Sequence, residues 1–197
     1  ADQLKTSLYS TPYMEYYVLK ALFMAGRDDQ GVWRMMKRYA PLIENENSTL
    51  WEDFSVLGTR NHAWSGGPLT IAYQYLAGIS PLKPGFERVL IAPSPAAPDK
   101  MNVTVPSPRG YIRLKVEKTS SGYTMSAKLP DDCAGIIGFP VASLPANYKL
   151  TLDESVSALP NGAFCPDVPL CARPIPQESY LLFAADGGGF TMEAKFD

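Results

Sequence analysis

Two hydrophobic rhythms divide the chain. Up to about Ile79 the apolar residues are clustered as in helices, and beyond Pro98 they alternate with polar ones. The first rhythm predicts a helix that Thr11 caps and Pro12 opens, with Glu15 in the first turn, where a carboxylate favours the helix dipole. Tyr13, Tyr16, Tyr17, Leu19, Leu22 and Phe23 crowd this helix so densely that both of its sides are expected to pack against protein. Gly26 ends it. Asp28 or Asp29 caps a second helix that carries Val32, Trp33, Met35, Met36 and Tyr39 until Pro41 stops it. So short a turn makes the pair an αα-hairpin. A third helix is expected from Gly67-Pro68 through Leu69, Ile71, Ala72, Tyr75 and Leu76 to Gly78. Three helices with apolar surface on several faces need more partners than this chain supplies, and they read as the tail of a larger helical assembly.

Pro81, Pro84, Pro93, Pro95 and Pro98 exclude a helix interior and mark a connection. Strict alternation follows. Met101, Val103 and Val105 share one face, and Ile112, Leu114 and Val116 alternate with Arg113, Lys115 and Glu117. After a Ser121-Gly122 turn come Tyr123, Met125, Ala127 and Leu129, and the pattern returns at Tyr148, Leu150, Leu152 and at Phe190, Met192, Ala194, Phe196. A period of two punctuated by turns predicts an antiparallel sandwich with one wet face. The Pro-rich stretch from Ser155 to Pro176 reads as a long surface loop. No repeat of fixed period is present.

Composition narrows the function classes. The chain has 197 residues, 46% of them hydrophobic and 19% charged, which is enough apolar content for a core and too little charge for disorder. Eighteen Lys and Arg against 20 Asp and Glu give a net charge of −2, with no basic surface to grip nucleic acid or an anionic membrane. No apolar run approaches the ~20 residues that span a bilayer. Cys133, Cys165 and Cys171 are three, so at least one is unpaired within the chain. Cys165 and Cys171 could pair in an oxidising compartment, or all could be structural thiols. A zinc site is not expected, because the single His is distant and no C-x-x-C spacing occurs. Asp186-Gly187-Gly188-Gly189 lacks the Lys-Ser/Thr and the helix of a phosphate cradle, and is expected to be a hairpin turn.

The most unusual stretch is Asn45 to Gly67, which holds two of the three Trp, the only His, and Glu46, Glu52 and Asp53. Carboxylates beside aromatic faces suit sugar chemistry: indole rings pack on the apolar faces of a pyranose, while carboxylate, amide and imidazole groups bond its hydroxyls. Next to Trp51, a partly desolvated Glu52 is expected to hold its proton more readily. Spacing alone favours a plainer reading, in which the Trp residues plug a helical core and His62 caps a helix or satisfies a backbone group. Glycoside hydrolysis needs two carboxyl groups across the sugar. Glu52 and Asp53 cannot be that pair in an extended segment, since neighbouring side chains point to opposite faces. Glu44 and Glu46 remain as partners without a motif.

Ser48 to Phe54 (STLWEDF), Arg60 to Pro68 (RNHAWSGGP) and Leu76 to Pro95 (LAGISPLKPGFERVLIAPSP) resemble the end of the catalytic domain of bacterial α-L-rhamnosidases, inverting glycoside hydrolases built on an (α/α)6 barrel. Lys100 to Pro130 resembles the β-sandwich that closes those enzymes. The resemblance covers roughly Thr11 to Pro130 and implies an α+β chain: residues 1–95 as the last helices of the barrel and residues 96–197 as a C-terminal antiparallel β-sandwich. It also implies that Glu52 is the general base and that His62 bonds the sugar ring, with Asn61, Trp51 and Trp64 as flanking substrate contacts. The family's general acid comes from an upstream motif without a counterpart here, so the chain alone is expected to be inactive. Two carboxyl groups and a water suffice, so no metal or organic cofactor is implied. The partners implied are a rhamnose-containing oligosaccharide or glycoside and the upstream part of the same parent chain, with no nucleic acid and no membrane. Enzymes of this type are often exported to the periplasm or the medium. Two other readings stay open: a non-catalytic, carbohydrate-associated sandwich module, and an (α/α)6 hydrolase for a different sugar.

Overall fold

The computed structural model describes residues 7–46, 49–55, 58–142, 144–159 and 179–196. The chain divides into two compact units, Ala1–Ala72 and Tyr73–Asp197. A short helical part followed by two sheets is the expected α+β class, and the expected boundary at residues 95/96 lies inside the second unit.

In the first unit, helix α1 is Pro12–Met24 and α2 is Asp28–Ile43. The Thr11 hydroxyl accepts from the Met14 N–H at 3.4 Å, and Pro12 occupies the first turn, where its missing N–H costs nothing. Leu19, Leu22 and Phe23 are buried, each contributing roughly 1.5–3 kcal/mol of burial energy. Pro41 does not stop α2. It removes one bond near the helix end, but the Glu44 N–H still reaches the Ala40 carbonyl at 2.9 Å. A 3-10 turn (Ala63–Gly66) leads into α3 (Gly67–Ile71), which continues as a π-turn over Ala72–Leu76.

Glu15 does more than favour a dipole. It is fully buried beside Arg34 and Arg38, one turn apart on α2. Arg34 Nη2 donates to Glu15 Oε2 at 2.9 Å, and Arg34 Nε bonds the other carboxylate oxygen. The two guanidinium groups also collect the main chain ahead of α1. Arg34 Nη1 donates to the Ser7 carbonyl at 2.8 Å, and Arg38 donates to the carbonyls of Leu8 and Ser10. Sequence periodicity gives no sign of this cluster.

The second unit is a sandwich. Strands β1 (Ile79–Pro81), β2 (Arg88–Ile91), β6 (Ala134–Pro140), β8 (Val156–Ala158) and β9 (Tyr180–Ala185) form one sheet in the order β1-β2-β6-β9-β8. Strands β3 (Lys100–Ser107), β4 (Gly110–Lys118), β5 (Gly122–Leu129), β7 (Tyr148–Leu152) and β10 (Gly188–Phe196) form the other, in the order β3-β4-β5-β10-β7. All pairs are antiparallel except β2 with β6. Val89, Ile91, Ile137, Phe139 and Phe183 meet Ile112, Leu114, Val116, Met125 and Met192 in a single core.

Three expectations are corrected here. The Pro-rich connection holds β1 and β2, because its prolines flank the ladder or sit at the sheet edge, where no N–H is needed. The stretch after Ser155 opens with β8, whose Val156 is buried in the core, while residues 160–178, including Cys165 and Cys171, lie outside the described residues. Asp186 to Gly189 is not a hairpin: β9 pairs with β6 and β8, and β10 with β5 and β7, so the turn passes from one sheet to the other. Cys133 is buried as a free thiol, and burial pushes its pKa up.

Gly78 enters β1 at φ +68°, and a Cβ there would stand 1.8 Å from the Ala92 carbonyl oxygen. Gly78→Ala is expected to lose at least about 2 kcal/mol in urea unfolding, because it adds left-handed strain to a backbone collision. Glu15→Gln leaves two guanidinium groups buried without their carboxylate. The same measurement should show a loss of about 3–5 kcal/mol.

Candidate active site

The loop between α2 and α3 is pinned at two levels. The Glu52 N–H donates to the Thr59 carbonyl at 2.9 Å and the His62 N–H to the Leu50 carbonyl at 2.8 Å, bringing its two arms side by side. Below them, the buried Ser65 hydroxyl donates to the Trp51 carbonyl at 2.6 Å. Trp51 points inward, 4% exposed, onto Tyr39, Leu42, Met35 and Phe54, while Glu52 points outward with its side chain 40% exposed.

Thr59 organises the outward side. Its N–H and hydroxyl both donate to Glu52 Oε2, at 3.0 and 3.2 Å, and its hydroxyl also bonds His62 Nδ1. A hydroxyl has one proton, and an ionised carboxylate can only accept. The hydrogen bonds therefore run from His62 Nδ1–H to Thr59 and from Thr59 to Glu52. The direct Glu52–His62 separation is 4.0 Å. Gly58 lets this arrangement close, since a Cβ there would lie 2.9 Å from both Glu52 Cβ and Oε2.

These contacts reverse one expectation. The two Thr59 hydrogen bonds, with help from His62, hold the Glu52 carboxyl below its ordinary range and outweigh the opposing desolvation. Glu52 is thus an ionised carboxylate at neutral pH, suited to accept a proton rather than to donate one.

Trp64 is half exposed, and its ring stacks on His62 with centroids 4.3 Å apart. The structure thus brings Glu52, His62 and Trp64 together. Asn61 is exposed beside His62, and Trp51 acts as the buried anchor, with the Arg60 guanidinium 5.3 Å over its ring. Asp53 is engaged elsewhere: its Oδ1 accepts from the Ser55 N–H and hydroxyl, both at 2.6 Å. Glu44 and Glu46 are exposed. Among the described residues no cluster of His, Cys, Asp and Glu is arranged to hold a metal ion. Sequence reasoning missed Thr59, for which the only signal was a hydroxyl three residues before the single His. It also missed Tyr13, whose ring lies 5.7 Å from that of Trp64.

Residues 78–146 match the family model of the bacterial alpha-L-rhamnosidase C-terminal domain. Among solved structures, the alpha-L-rhamnosidase from Dictyoglumus thermophilum aligns with a TM-score of 0.72 and 18% identity, over 92% of this chain and 20% of that one. The Streptomyces avermitilis alpha-L-rhamnosidase complexed with L-rhamnose aligns with a TM-score of 0.68 and 18% identity, over 92% and 17%. A GH78 family rhamnosidase of Bacillus sp. GL1 gives 0.53 and 24%, over 60% and 14%. No curated protein matches the chain. The resemblance read from the sequence holds: the fold is that found in α-L-rhamnosidases, and the strands and turns of 78–146 carry the signature of their C-terminal domain. The chain spans about a fifth of the length of the Dictyoglumus structure.

Thr59→Val removes the hydroxyl that bonds both Glu52 and His62 while keeping the N–H. It should raise the Glu52 pKa. Any activity that needs Glu52 ionised is therefore lost at higher pH on acidification than in the wild type. The acid limb of kcat/KM against pH is the readout, and an unmoved limb would contradict the role given to Thr59.

Proposed function

We propose that this chain is the C-terminal part of a glycoside hydrolase of the α-L-rhamnosidase kind, cleaving terminal α-L-rhamnosides with inversion. The observation that carries the reading is Glu52: a solvent-reachable carboxylate kept ionised by Thr59 and flanked by an imidazole and an indole face. In this reading Glu52 takes a proton from water as the water attacks the anomeric carbon. His62, with Nδ1–H committed to Thr59, presents Nε2 as an acceptor for a sugar hydroxyl. Trp64 packs against the apolar face of the ring, Asn61 bonds a hydroxyl at the rim, and Trp51 holds the loop from behind.

Inversion requires a second carboxyl group on the far side of the sugar, ~6.5–9.5 Å from the base so that water fits between. With Asp53 tied to Ser55, we assign the acid to another part of the parent chain, and the 197 residues alone do not turn over substrate. In this reading the second unit has a structural role rather than a glycan-binding one: its core takes up Ile112, Leu114, Val116, Tyr123, Met125, Phe190 and Met192, and the outer face of β4 is mostly charged, with Arg113, Lys115 and Glu117 beside the single exposed ring of Tyr111.

The test is turnover of a panel of aryl α-glycosides by the full-length protein, wild type beside Glu52→Gln. Wild type should release the aglycone from the α-L-rhamnoside, and the variant should be slower by about 10²–10⁴-fold, the usual worth of a general base. Near-normal turnover in the variant would remove Glu52 from the mechanism. Release from a different glycoside would keep the mechanism and change the sugar.

A further inference from the structure

The first unit exposes apolar side chains in two patches of different chemistry. One is a cavity of about 440 Å3 lined largely by Met35, Met36, Ile43, Leu50 and Leu69, a surface made for aliphatic packing. The other is aromatic and begins at the candidate site. Beyond His62 and Trp64, the Tyr13 ring lies 5.7 Å from Trp64 in a tilted arrangement, and the Tyr17 ring 5.9 Å from Tyr13, edge to face. Tyr13 and Tyr17 are four residues apart on α1 and so share a face. Trp64, Tyr13 and Tyr17 are each about half exposed.

We propose that Tyr13 and Tyr17 extend the site into an aromatic strip that holds a second sugar unit, next to the one addressed by Glu52, His62 and Trp64. The inference rests on the reading of that site as a sugar site. Three observations favour a glycan as occupant over a packed helix. The strip is continuous with the Glu52–His62 pair through the stacked Trp64 ring. Its residues are rings with polar rims, which offer an apolar face to sugar C–H groups and hydrogen bonds to sugar hydroxyls. The Tyr13 hydroxyl, held above its ordinary pKa by the neighbouring Tyr17 phenol, stays protonated and keeps its capacity to donate and accept. The aliphatic cavity has none of these properties.

The experiment uses the full-length protein carrying Glu52→Gln, so that binding is not followed by turnover. L-rhamnose and a rhamnose-terminated disaccharide are titrated by calorimetry. Adding Tyr17→Ala should weaken the disaccharide about tenfold, as loss of one aromatic stacking partner predicts, with the loss confined to that ligand. Tyr17→Phe keeps the ring and should hold the disaccharide affinity to within about twofold. An equal loss for both sugars, or no loss for either, overturns the strip while leaving the Glu52 site standing. If neither sugar binds the Glu52→Gln parent, the site reading falls and the strip falls with it.

Discussion

The first unit depends on a buried charge. Glu15 has no access to solvent, and an isolated carboxylate there would be prohibitively costly, so Arg34 and Arg38 must stand against it. That requirement fixes the rotation of α2 relative to α1. It also fixes the path of residues 7–10, whose carbonyls accept from Arg34 Nη1 and from both Arg38 Nη atoms. Its influence reaches the loop. The Arg38 guanidinium lies 3.9 Å over the Phe54 ring, and Phe54 packs edge-on to Tyr39, which with Leu42 receives Trp51. The inward half of the site loop is thus tied, through Phe54, to Arg38, one of the two residues that neutralise Glu15.

From that anchored base the loop divides its work by side. The inward residue Trp51 supplies rigidity, and the outward residue Glu52 meets water. Being exposed would ordinarily leave Glu52 near its free-solution behaviour. Thr59 changes that by aiming two donors at one carboxylate oxygen, so that local hydrogen bonding rather than burial sets its proton affinity. The same hydroxyl orients the imidazole. One residue therefore couples the acid–base state of Glu52 to the orientation of His62, which is the kind of support that holds a site in one geometry.

The sandwich shows how far burial pattern controls legibility. Met101 to Val105, Ile112 to Val116, Tyr123 to Leu129, Tyr148 to Leu152 and Phe190 to Phe196 all alternate, and they are the five strands of one sheet. That sheet is half wet, so water on its outer face enforces a period of two. The other sheet was invisible to the same reasoning. Val89 and Ile91 face the shared core, while Leu90, Ala92, Ile136 and Tyr180 form a second apolar cluster on its opposite face. Strands covered on both sides read as continuous apolar runs, and such runs look like neither helix nor strand.

What the sequence determined by itself follows from local physics. Thr11-Pro12 starts a helix because a hydroxyl and a fixed φ solve the first turn; Gly26 ends it because a left-handed residue is needed there; five strands alternate because one face meets water. The residues Glu52, His62 and Trp64 could also be singled out, since carboxylate, imidazole and indole are the groups that handle sugars. Tertiary structure decided the rest. Asp186 to Gly189 joins two sheets instead of two neighbouring strands, because pairing depends on partners far away in the chain. Trp51 became an anchor because Tyr39, Leu42 and Phe54 receive it, and Glu52 a depressed carboxylate because Thr59, seven residues on, folds back across the loop. Proton affinity is set by whichever donors stand within hydrogen-bond reach, and only the folded chain brings them there.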